Sequence, residues 1–542
     1  MTRIIAELSL IGAVVAPMAG AVVSVAGKGL PGGHCRVAAG LAWTSALLAV
    51  GAAVSVAVGG PFIAAVDTRG GEPLFGLAAN QLTSVLLVLV CVVGAVLQSF
   101  SLRYLQSDRT GSKFFAAANV VVVAMAIVCT SITPLALAGG WLIAGAGFVA
   151  VIAVRPDLPG VRFAARRTLR VFAIGDLAML VAVVMITVRA GNVDLVSASS
   201  LNAAVVHLRG FSPVVAALIV TAALARSAQG PFGRWLPGTV SAPTPASVLL
   251  HAGVVNGGAI LLVRLGALSS SSMLVMMAAF VVAALTATVA TVLASRKADV
   301  KGGLALSTMG QMGFMVAECA AGAYLAALVH LIGHAMYKAT LFFGSGSQVA
   351  RRGQAPVAPA VVMSIPARAV VSAAAVAAAV GVMSAVPGAL THRGSAVLSV
   401  FVAATAASAG WAWSGRRPAA ARMDALWAGA LLCAGALYGL ALGALGGWIA
   451  PALPAAGSGV VSSWWLLAVA GAGALVAGLA RLPFAQRRLV AILVSAAAPP
   501  ARLELAGDGD RPAAGRSRGD SGTGDDLLTE RRVLVSRDET AA

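Results

Sequence analysis

Apolar segments of membrane-spanning length recur along almost the whole chain. A helix needs about 20 predominantly apolar residues to cross the hydrocarbon core of a bilayer. The 542 residues are 59% hydrophobic and 11% charged, whereas a soluble domain carries roughly 25% charged residues. The sequence therefore predicts an all-α, polytopic membrane protein and excludes a large soluble α/β enzyme.

The apolar pattern predicts about 15 transmembrane helices. The expected spans are 4–26, 37–59, 82–101, 114–131, 133–154, 170–189, 212–227, 242–263, 272–294, 303–320, 323–349, 359–383, 395–413, 425–451 and 461–480. Glycine is abundant, with 61 residues, and small residues favour close approach between helices in a membrane.

Basic residues cluster in alternate connections between the expected spans. The basic connections follow the third, fifth, ninth, eleventh and thirteenth spans, and they contain Arg103, Arg109, Lys113, Arg155, Arg162, Arg166, Arg167, Arg296, Lys297, Arg351, Arg352, Arg416, Arg417 and Arg422. Under the positive-inside rule these connections are cytoplasmic, so we expect the N-terminus outside and the C-terminus in the cytoplasm. The net charge of +19 then follows mostly from topology and needs no nucleic-acid partner.

Two regions of the chain differ in composition. Residues 1–498 contain all the expected spans, whereas residues 499–542 are polar, glycine-rich and mixed in charge. We therefore expect a transmembrane domain over 1–498 and a disordered cytoplasmic tail over 499–542. The first span has Arg3 before its apolar run, as a signal peptide does, but its length predicts that it is retained.

The sequence contains no recognisable metal or cofactor motif. The five cysteines are scattered, without the spacing of a zinc or iron–sulfur site. There is also no glycine-rich nucleotide-binding loop after a strand and no flavin motif. We therefore expect no metal, no cofactor and no catalytic residue in this chain, so that redox chemistry in any complex would belong to other subunits.

The seventh expected span carries a charged residue followed by a helix break. Gly230 and Pro231 follow Arg226 closely, and proline interrupts a helix because it lacks an N–H and clashes with the preceding turn. Asp176 lies inside the sixth span. Asp176 and Arg226 are candidates for an ion pathway, but a buried ion pair that fixes helix packing is at least as good an interpretation.

Further ionisable residues lie near the ends of spans. His251, early in the eighth span, fits an ion pathway and simple packing equally well. Lys301 begins the tenth span, where it either joins the pathway or extends its amine to the cytoplasmic surface. We expect Glu318, near the outer end of that span, to be solvated, and Arg234 to be an ordinary loop charge.

The stretch VHLIGHAMYKATLFFGSG, residues 329–346, places three ionisable residues in an apolar helix. His330, His334 and Lys338 are four residues apart, so they share one helical face. Such residues are costly in a membrane unless they have partners, and a series of them can relay protons. The alternative is a set of hydrogen-bonded packing residues. We favour the relay.

The motifs in the middle of the chain resemble those of a known family. Arg226 opens RSAQGPFGRWLP, and SAPTPASVLLHA follows over 241–252. They are similar to the K-S-A-Q-x-P-x-H-x-W-L-P and A-P-T-P-V-S-A-L-x-H-A signatures of the antiporter-like membrane subunits of respiratory complex I, Mrp antiporters and their relatives. The resemblance covers roughly 80–390. It implies ion translocation by two inverted repeats with discontinuous helices, the second break lying at Pro387 and Gly388.

Three stretches are similar to one branch of that family. HAGVVNGG at 251–258, STMGQMGFM at 307–315 and HAMYKATLFFGSGS at 334–347 resemble DabB, the membrane subunit of a two-part inorganic carbon transporter. The resemblance implies a subunit of the bacterial plasma membrane that conducts ions, principally protons. It also implies a partner similar to DabA, a zinc protein related to β-carbonic anhydrases, which takes up bicarbonate or CO2.

The chain departs from the complex I pattern at three positions. Leu142 follows Trp141 where complex I subunits carry a glutamate, and Arg226 stands where the family has a lysine. Ala385 occupies the position of a lysine in the twelfth span. Because arginine keeps its proton at any working pH, we expect Arg226 to be a fixed charge. These losses disfavour a full respiratory proton pump.

Two alternatives to the carbon-transport interpretation remain open at this point. The first is a subunit similar to subunit L of NADH-quinone oxidoreductase, coupling redox chemistry elsewhere to proton translocation. The second is a subunit of an Mrp-type cation/proton antiporter. Under either alternative the partners are other respiratory or Mrp subunits.

Overall fold

A computed structural model gives the fold of most of the chain. It describes residues 2–27, 33–67, 73–106, 108, 110–294, 297, 299–352, 360–361, 363–385, 395–414, 417–418 and 421–454. The expected fifteenth span, the tail at 499–542 and the expected break at Pro387 and Gly388 lie outside the described residues.

The first half of the chain consists of long helices with one small hairpin. The helices are α1 (Thr2–Ala26), α2 (Gly33–Gly59), α3 (Gln81–Tyr104), α4 (Gly111–Thr130), α5 (Pro134–Ile152), α6 (Val161–Ala190), α7 (Ala198–Leu208) and α8 (Ser212–Arg226). The hairpin lies between α2 and α3 and pairs β1 (Phe62–Asp67) with β2 (Pro73–Ala79) in antiparallel fashion. The hydropathy pattern does not predict this hairpin, although the helical fold class is confirmed.

Short helical pieces follow α8 and lead into a second set of long helices. The short pieces are α9 (Trp235–Gly238), α10 (Thr244–Val248), α11 (Gly257–Arg264) and α12 (Gly266–Ser269). The long helices are α13 (Met273–Ala294), α14 (Val300–Ala320), α15 (Tyr324–Arg352), α16 (Ile365–Ala385), α17 (Ser395–Ser414) and α18 (Ala421–Ile449). Two-residue strands β3 (Ala360–Val361) and β4 (Arg417–Pro418) pair with each other.

The expected spans agree with the helices of the described part of the chain. Twelve helical segments there are long and apolar enough to cross a membrane. Two further expected spans, 303–320 and 395–413, coincide with α14 and α17. Large apolar side chains point outward along several of these helices, with Leu47 70% exposed and Leu177 63% exposed. Such surfaces suit lipid, and the chain is a multi-pass membrane protein.

The eighth span is the least regular of the buried helices. Between α10 and α11 the chain passes through a π-helical turn, Leu249–Gly253, and a 3₁₀ turn, Val254–Asn256. This segment packs against α15, and α15 also contacts α14. π-helical turns change which side chains face a neighbour and are frequent at functional sites. Buried polar residues, His251 and Asn256 among them, lie in this segment.

Candidate functional site

A first polar centre lies where α8 ends. Arg226 is the last residue of α8, and its Nη2 donates to Asp176 Oδ1 of α6 over 2.8 Å. The Arg226 side chain is 1% exposed and that of Asp176 is 16% exposed. We name this ion pair the paired centre. The interaction expected from the sequence is present.

Aromatic rings and glycines shape the space around the paired centre. The Arg226 guanidinium carbon lies 4.1 Å from the centroid of the Trp141 ring and 4.4 Å from that of Phe172. Arg226 Nη2 also donates to the Trp141 carbonyl oxygen over 3.2 Å. A Cβ at Gly145 would lie 3.0 Å from Arg226 Nη2. The arginine is therefore held by charge, by aromatic faces and by close backbone approach.

The chain after Arg226 leaves the helix and is tied down by side chains. Gly230 and Pro231 lie in this non-helical segment, and the Gly230 N–H donates to Thr286 Oγ1 of α13 over 3.1 Å. Gln229 Nε2 donates to the Ser227 and Met309 carbonyls. The helical hydrogen bonds lost at the break are thus replaced by polar side chains, as a discontinuous helix in a membrane requires.

A second polar centre follows one face of α15. His330 Nδ1 is hydrogen-bonded to Glu318 Oε2 of α14 over 3.0 Å, and His334 Nδ1 donates to Asn256 Oδ1 over 3.1 Å. Lys338 Nζ donates to Ser307 Oγ of α14 over 2.9 Å. His330, His334 and Lys338 are all buried, and Lys338 is 0% exposed. From His330 to Lys338 the helix rises about 12 Å.

We name His330, His334 and Lys338, with their partners Glu318, Asn256 and Ser307, the polar line. Two of its buried atoms, Glu318 Oε1 and His334 Nε2, have no protein hydrogen-bond partner among the described residues. The ring centroids of His330 and His334 are 6.4 Å apart, which is too far for a direct hydrogen bond. Proton exchange along the line would therefore need bridging water.

His251 lies beside the polar line. It belongs to the π-helical turn, is 2% exposed, and stacks on Phe342 of α15 with 4.4 Å between ring centroids. Its Nδ1 is buried without a partner among the described residues. The structure thus brings His251 to the same helix as the polar line.

One expectation about the second centre is wrong. Glu318 was expected to be solvated because it lies two residues from the end of α14, yet it is 0% exposed and pairs with His330. Helices packed around the end of α14 bury it, and a single span does not reveal those neighbours. Asn256 and Ser307 were not expected at all, although each is a polar residue within a motif that the sequence singled out.

Lys301 stands apart from both centres. It lies in the first turn of α14, half-buried, and its Nζ is 3.5 Å from the Ala242 carbonyl oxygen. Asp299 caps this helix through the Gly302 N–H. Arg234 is exposed in its loop, as expected. No group of three or more metal-ligating side chains occurs within the described residues.

The family models match the region that contains both centres. The model described as "NADH:quinone oxidoreductase/Mrp antiporter, TM" matches residues 135–416, and "NADH-Ubiquinone oxidoreductase (complex I), chain 5 N-terminus" matches residues 71–115. The first match alone covers more than half of the chain. The chain belongs to the NADH:quinone oxidoreductase/Mrp antiporter family. The paired centre and the polar line both lie inside the region that defines this family.

Similar proteins in this family carry two kinds of name. "Probable inorganic carbon transporter subunit DabB1" of Halothiobacillus neapolitanus is 32% identical over 280 residues, 50% of each chain. "NADH-quinone oxidoreductase subunit L" of Mycobacterium tuberculosis is 28% identical over 287 residues, 52% of this chain and 45% of the relative. The chain spans about half the length of the relatives that it matches.

Two solved structures share the fold. A chain of the Mrp complex from Dietzia sp. superposes with a TM-score of 0.60 and 23% identity, covering 90% of this chain and 58% of that one. A chain of the archaeal membrane-bound sulfane sulfur reductase gives 0.58 and 18% identity, covering 86% and 99%. Both are parts of membrane complexes.

Proposed function

We propose that this chain is an ion-conducting membrane subunit that moves protons along the polar line. The observation that carries the proposal is a buried series in which Glu318 of α14 pairs with His330, and His330, His334 and Lys338 follow one face of α15. Glutamate, histidine and lysine can each take and release a proton. Such a series inside a membrane protein is costly to maintain and suits proton transfer.

Each member of the polar line has a partner that tolerates a change of protonation. Ser307 Oγ accepts from Lys338, and Ser307 is neutral, so Lys338 can lose its proton without leaving a carboxylate unpaired. Glu318 and His330 are hydrogen-bonded to each other, so a proton arriving at either group is shared within that pair. Transfer between neighbours then proceeds through water, because the two imidazole rings do not touch.

The paired centre has a different task in this proposal. Arg226 cannot release its proton, so it supplies a fixed positive charge that Asp176 balances over 2.8 Å. A change in this pair would alter the electrostatic potential nearby without carrying a proton itself. His251 and Lys301 are proposed as further members of the pathway, His251 beside α15 and Lys301 near the start of α14.

We propose the orientation that the basic connections indicate, with the N-terminus outside and the C-terminus in the cytoplasm of a bacterial plasma membrane. Arg155, after the fifth span, pairs with Asp108, after the third span, over 2.7 Å. The two connections therefore lie at the same end of the helices, as an alternating topology requires.

The finer proposal is a role in inorganic carbon uptake with a partner similar to the zinc protein DabA. It is supported by HAGVVNGG and STMGQMGFM, and by relatives named DabB at 31–32% identity. Proton flow down the membrane potential is worth about 2.3 kcal/mol per charge per 100 mV. This free energy would drive the partner to capture bicarbonate or CO2.

A second function is favoured by relatives named as NADH-quinone or NAD(P)H-quinone oxidoreductase subunits, at 28–31% identity. Under that alternative the chain couples quinone reduction in other subunits to proton translocation. Leu142 and Ala385, which replace ionisable residues of the complex I pattern, weigh against it.

Co-expression in a carbonic-anhydrase-deficient bacterium tests the proposal. The chain is expressed with and without a zinc protein similar to DabA, and growth in ordinary air is measured. We expect growth that needs both proteins and that a protonophore or the change His334→Ala abolishes, while membrane insertion persists. Copurification with quinone-reducing subunits, without growth rescue, would assign the chain to the alternative.

A further inference from the structure

Both ends of the Asn256 side-chain amide are hydrogen-bonded, one of them to His334. Its Oδ1 accepts from His334 Nδ1 over 3.1 Å, and its Nδ2 donates to the Ala252 carbonyl oxygen over 2.9 Å. Rotating the amide by 180° would point its NH2 at His334 and its oxygen at the Ala252 carbonyl oxygen. Two oxygen acceptors would then face each other, so the carbonyl of Ala252 fixes which amide atom His334 meets.

The amide orientation decides which ring nitrogen of His334 carries the proton in the neutral state. Because Asn256 Oδ1 can only accept, Nδ1 must be the protonated nitrogen, and Nε2 keeps its lone pair. His334 Nε2 is buried and has no hydrogen-bond partner among the described residues. The free lone pair therefore lies in the interior of the chain, available to a proton.

We propose that Asn256 is a positioning residue that locks the tautomer of His334 and makes Nε2 its only proton-exchanging atom. This inference rests on the proposed proton path and specifies one of its steps. A proton donor in the line, such as the Lys338 ammonium acting through water, breaks one N–H bond and becomes neutral. An N–H bond forms at His334 Nε2, and the positive charge moves to the imidazole. The proton leaves from the same nitrogen.

The local backbone explains why this asparagine reaches α15. Asn256 ends the 3₁₀ turn that follows the π-helical turn containing His251. His251 stacks on Phe342, whereas Asn256 is hydrogen-bonded to His334, which lies eight residues before Phe342 on α15. The irregular segment therefore runs antiparallel to α15 and turns both polar side chains towards it. Without this change in helical pitch the two side chains would not face the same neighbour.

Asn119 provides a closely matched control. It is also a fully buried asparagine whose Nδ2 donates to the carbonyl four residues earlier, that of Phe115, over 3.0 Å. Its Oδ1 accepts from Gln98 Nε2, a group that does not titrate, over 3.1 Å. Asn119 Nδ2 also donates to Gln98 Oε1 over 3.1 Å. Replacing either asparagine with leucine removes a bond to its own backbone and the bond at Oδ1, but only Asn256 contacts an imidazole.

The first measurement is the tautomer itself. Nitrogen-15 NMR of histidine-labelled protein in membranes distinguishes the two neutral forms, and the chain has only six histidines. The His334 signal is identified by its loss in His334→Gln. We expect a single Nδ1–H form in the wild type and in Asn119→Leu, and a mixture in Asn256→Leu. An Nε2–H form in the wild type overturns the inference.

The second measurement is proton flux into vesicles that contain the chain with its partner. We expect Asn256→Leu to lower the flux about tenfold, which corresponds to about 1.4 kcal/mol, and Asn119→Leu to leave the rate per folded protein unchanged. Asn256→Asp still accepts from Nδ1 and adds a negative charge that favours the imidazolium. It should keep most of the flux but move its pH profile to higher pH, although Glu318, His330, Lys338 and His251 also bear on His334.

The outcomes separate this inference from the proposed function. If His334→Ala abolishes flux while Asn256→Leu retains both full flux and a single tautomer, the tautomer lock is wrong and the proton path stands. If His334→Ala retains full flux, the proton path is wrong, whatever the NMR spectrum shows. Equal losses of flux in Asn256→Leu and Asn119→Leu would mean that Asn256 serves packing alone.

Discussion

The paired centre and the polar line solve the problem of a buried charge in opposite ways. Arg226 meets a carboxylate, two aromatic faces and a backbone carbonyl, so it is surrounded by groups that favour a permanent positive charge. Lys338 is equally buried, but its Nζ donates to the neutral hydroxyl of Ser307. One cation is stabilised in place, whereas the other is left able to become neutral.

The difference teaches that burial alone does not mark an ion pathway. A buried ion pair loses much of its electrostatic attraction to desolvation and often serves structure. Lys338 and His334 are hydrogen-bonded to neutral groups, Ser307 and Asn256, so less holds a positive charge on them, which is the property that proton transfer needs. This contrast supports the proposal that the polar line transfers protons and that the paired centre supplies a fixed potential.

Exchange of lysine and arginine between the two centres gives the largest expected effect. Lys338→Arg keeps the charge but removes the ability to release a proton, so flux should fall about 10³-fold, or about 4 kcal/mol of barrier. Arg226→Lys keeps a cation beside Asp176 and should retain a measurable part of the flux. Proton flux per assembled complex, measured in vesicles, checks both variants.

The opposite flux results for these two variants would contradict the contrast between the two centres. Substantial flux in Lys338→Arg would mean that Lys338 is also a fixed charge. Loss of all flux in a well-folded Arg226→Lys would mean that the paired centre carries more than electrostatic potential.

The second largest expected effect is the loss of stability when one partner of the paired centre is removed. Asp176→Ala leaves the Arg226 guanidinium, 1% exposed, without its carboxylate. We expect a loss of about 3 kcal/mol in unfolding free energy, the lower end for a broken buried pair because Asp176 is partly accessible. Thermal unfolding in detergent measures it, and the double variant Asp176→Ala, Arg226→Met should recover part of the loss.

A double variant no more stable than Asp176→Ala would show that the two side chains do not depend on each other. The matched comparison is Ser307→Ala in the polar line, which removes a hydroxyl and no charge. We expect that variant to lose less stability than Asp176→Ala.

The sequence predicts the paired centre and the polar line unequally well. The spacing of His330, His334 and Lys338 follows from helical geometry alone, and all three do lie buried on α15. Their partners come from other elements, and which residue of α14 faces which residue of α15 depends on helix packing. That is why Ser307 was missed and Glu318 was assigned to solvent.

Asn256 was missed for a different reason. A single asparagine in an apolar helix commonly bonds to its own backbone, and the motif HAGVVNGG served only to mark a branch. The π-helical turn that directs Asn256 to His334 has no recognisable sequence signal. The hairpin of β1 and β2 was also missed, because hydropathy averaged over a span does not register short strands.

Replacing one glycine near each centre with alanine tests how tightly the two centres are packed. A Cβ at Gly145 would lie 3.0 Å from Arg226 Nη2 and 3.3 Å from Asp176 Oδ2, whereas a Cβ at Gly333, on α15, meets no atom within 4 Å. We expect Gly145→Ala to cost about 1 kcal/mol through displacement of the pair. Gly333→Ala should be neutral or stabilising by up to about 1 kcal/mol, because alanine favours helix. Thermal unfolding of both variants measures the difference, and equal stability would show that the paired centre is loosely packed.

The smallest effect concerns a third set of charges, which lies outside the spans. Arg155 Nη1 pairs with Asp108 over 2.7 Å, and its Nη2 pairs with Asp157 over 2.8 Å. Burial alone would raise the pKa of Asp108, but hydrogen bonds from Thr110 and the charge of Arg155 lower it overall. The hydrogen bond from Arg155 likewise lowers the pKa of Asp157. Such partly exposed pairs contribute little to stability, because solvent screens their attraction.

These pairs serve as a control for the polar line, because their contribution to stability is lost at a lower pH than the range in which histidine titrates. A carboxylate whose pKa is lowered by folding stabilises the protein above its unfolded pKa of about 4, and that stability is lost only as pH falls through the lower folded value. Between pH 5 and 8, about where histidine titrates, Asp108→Asn should therefore shift stability by a constant small amount. It should leave the shape of the pH–flux curve unchanged. A changed shape in that range would mean that the pH response of flux does not originate in the polar line, and the contrast between the two buried centres would lose its basis.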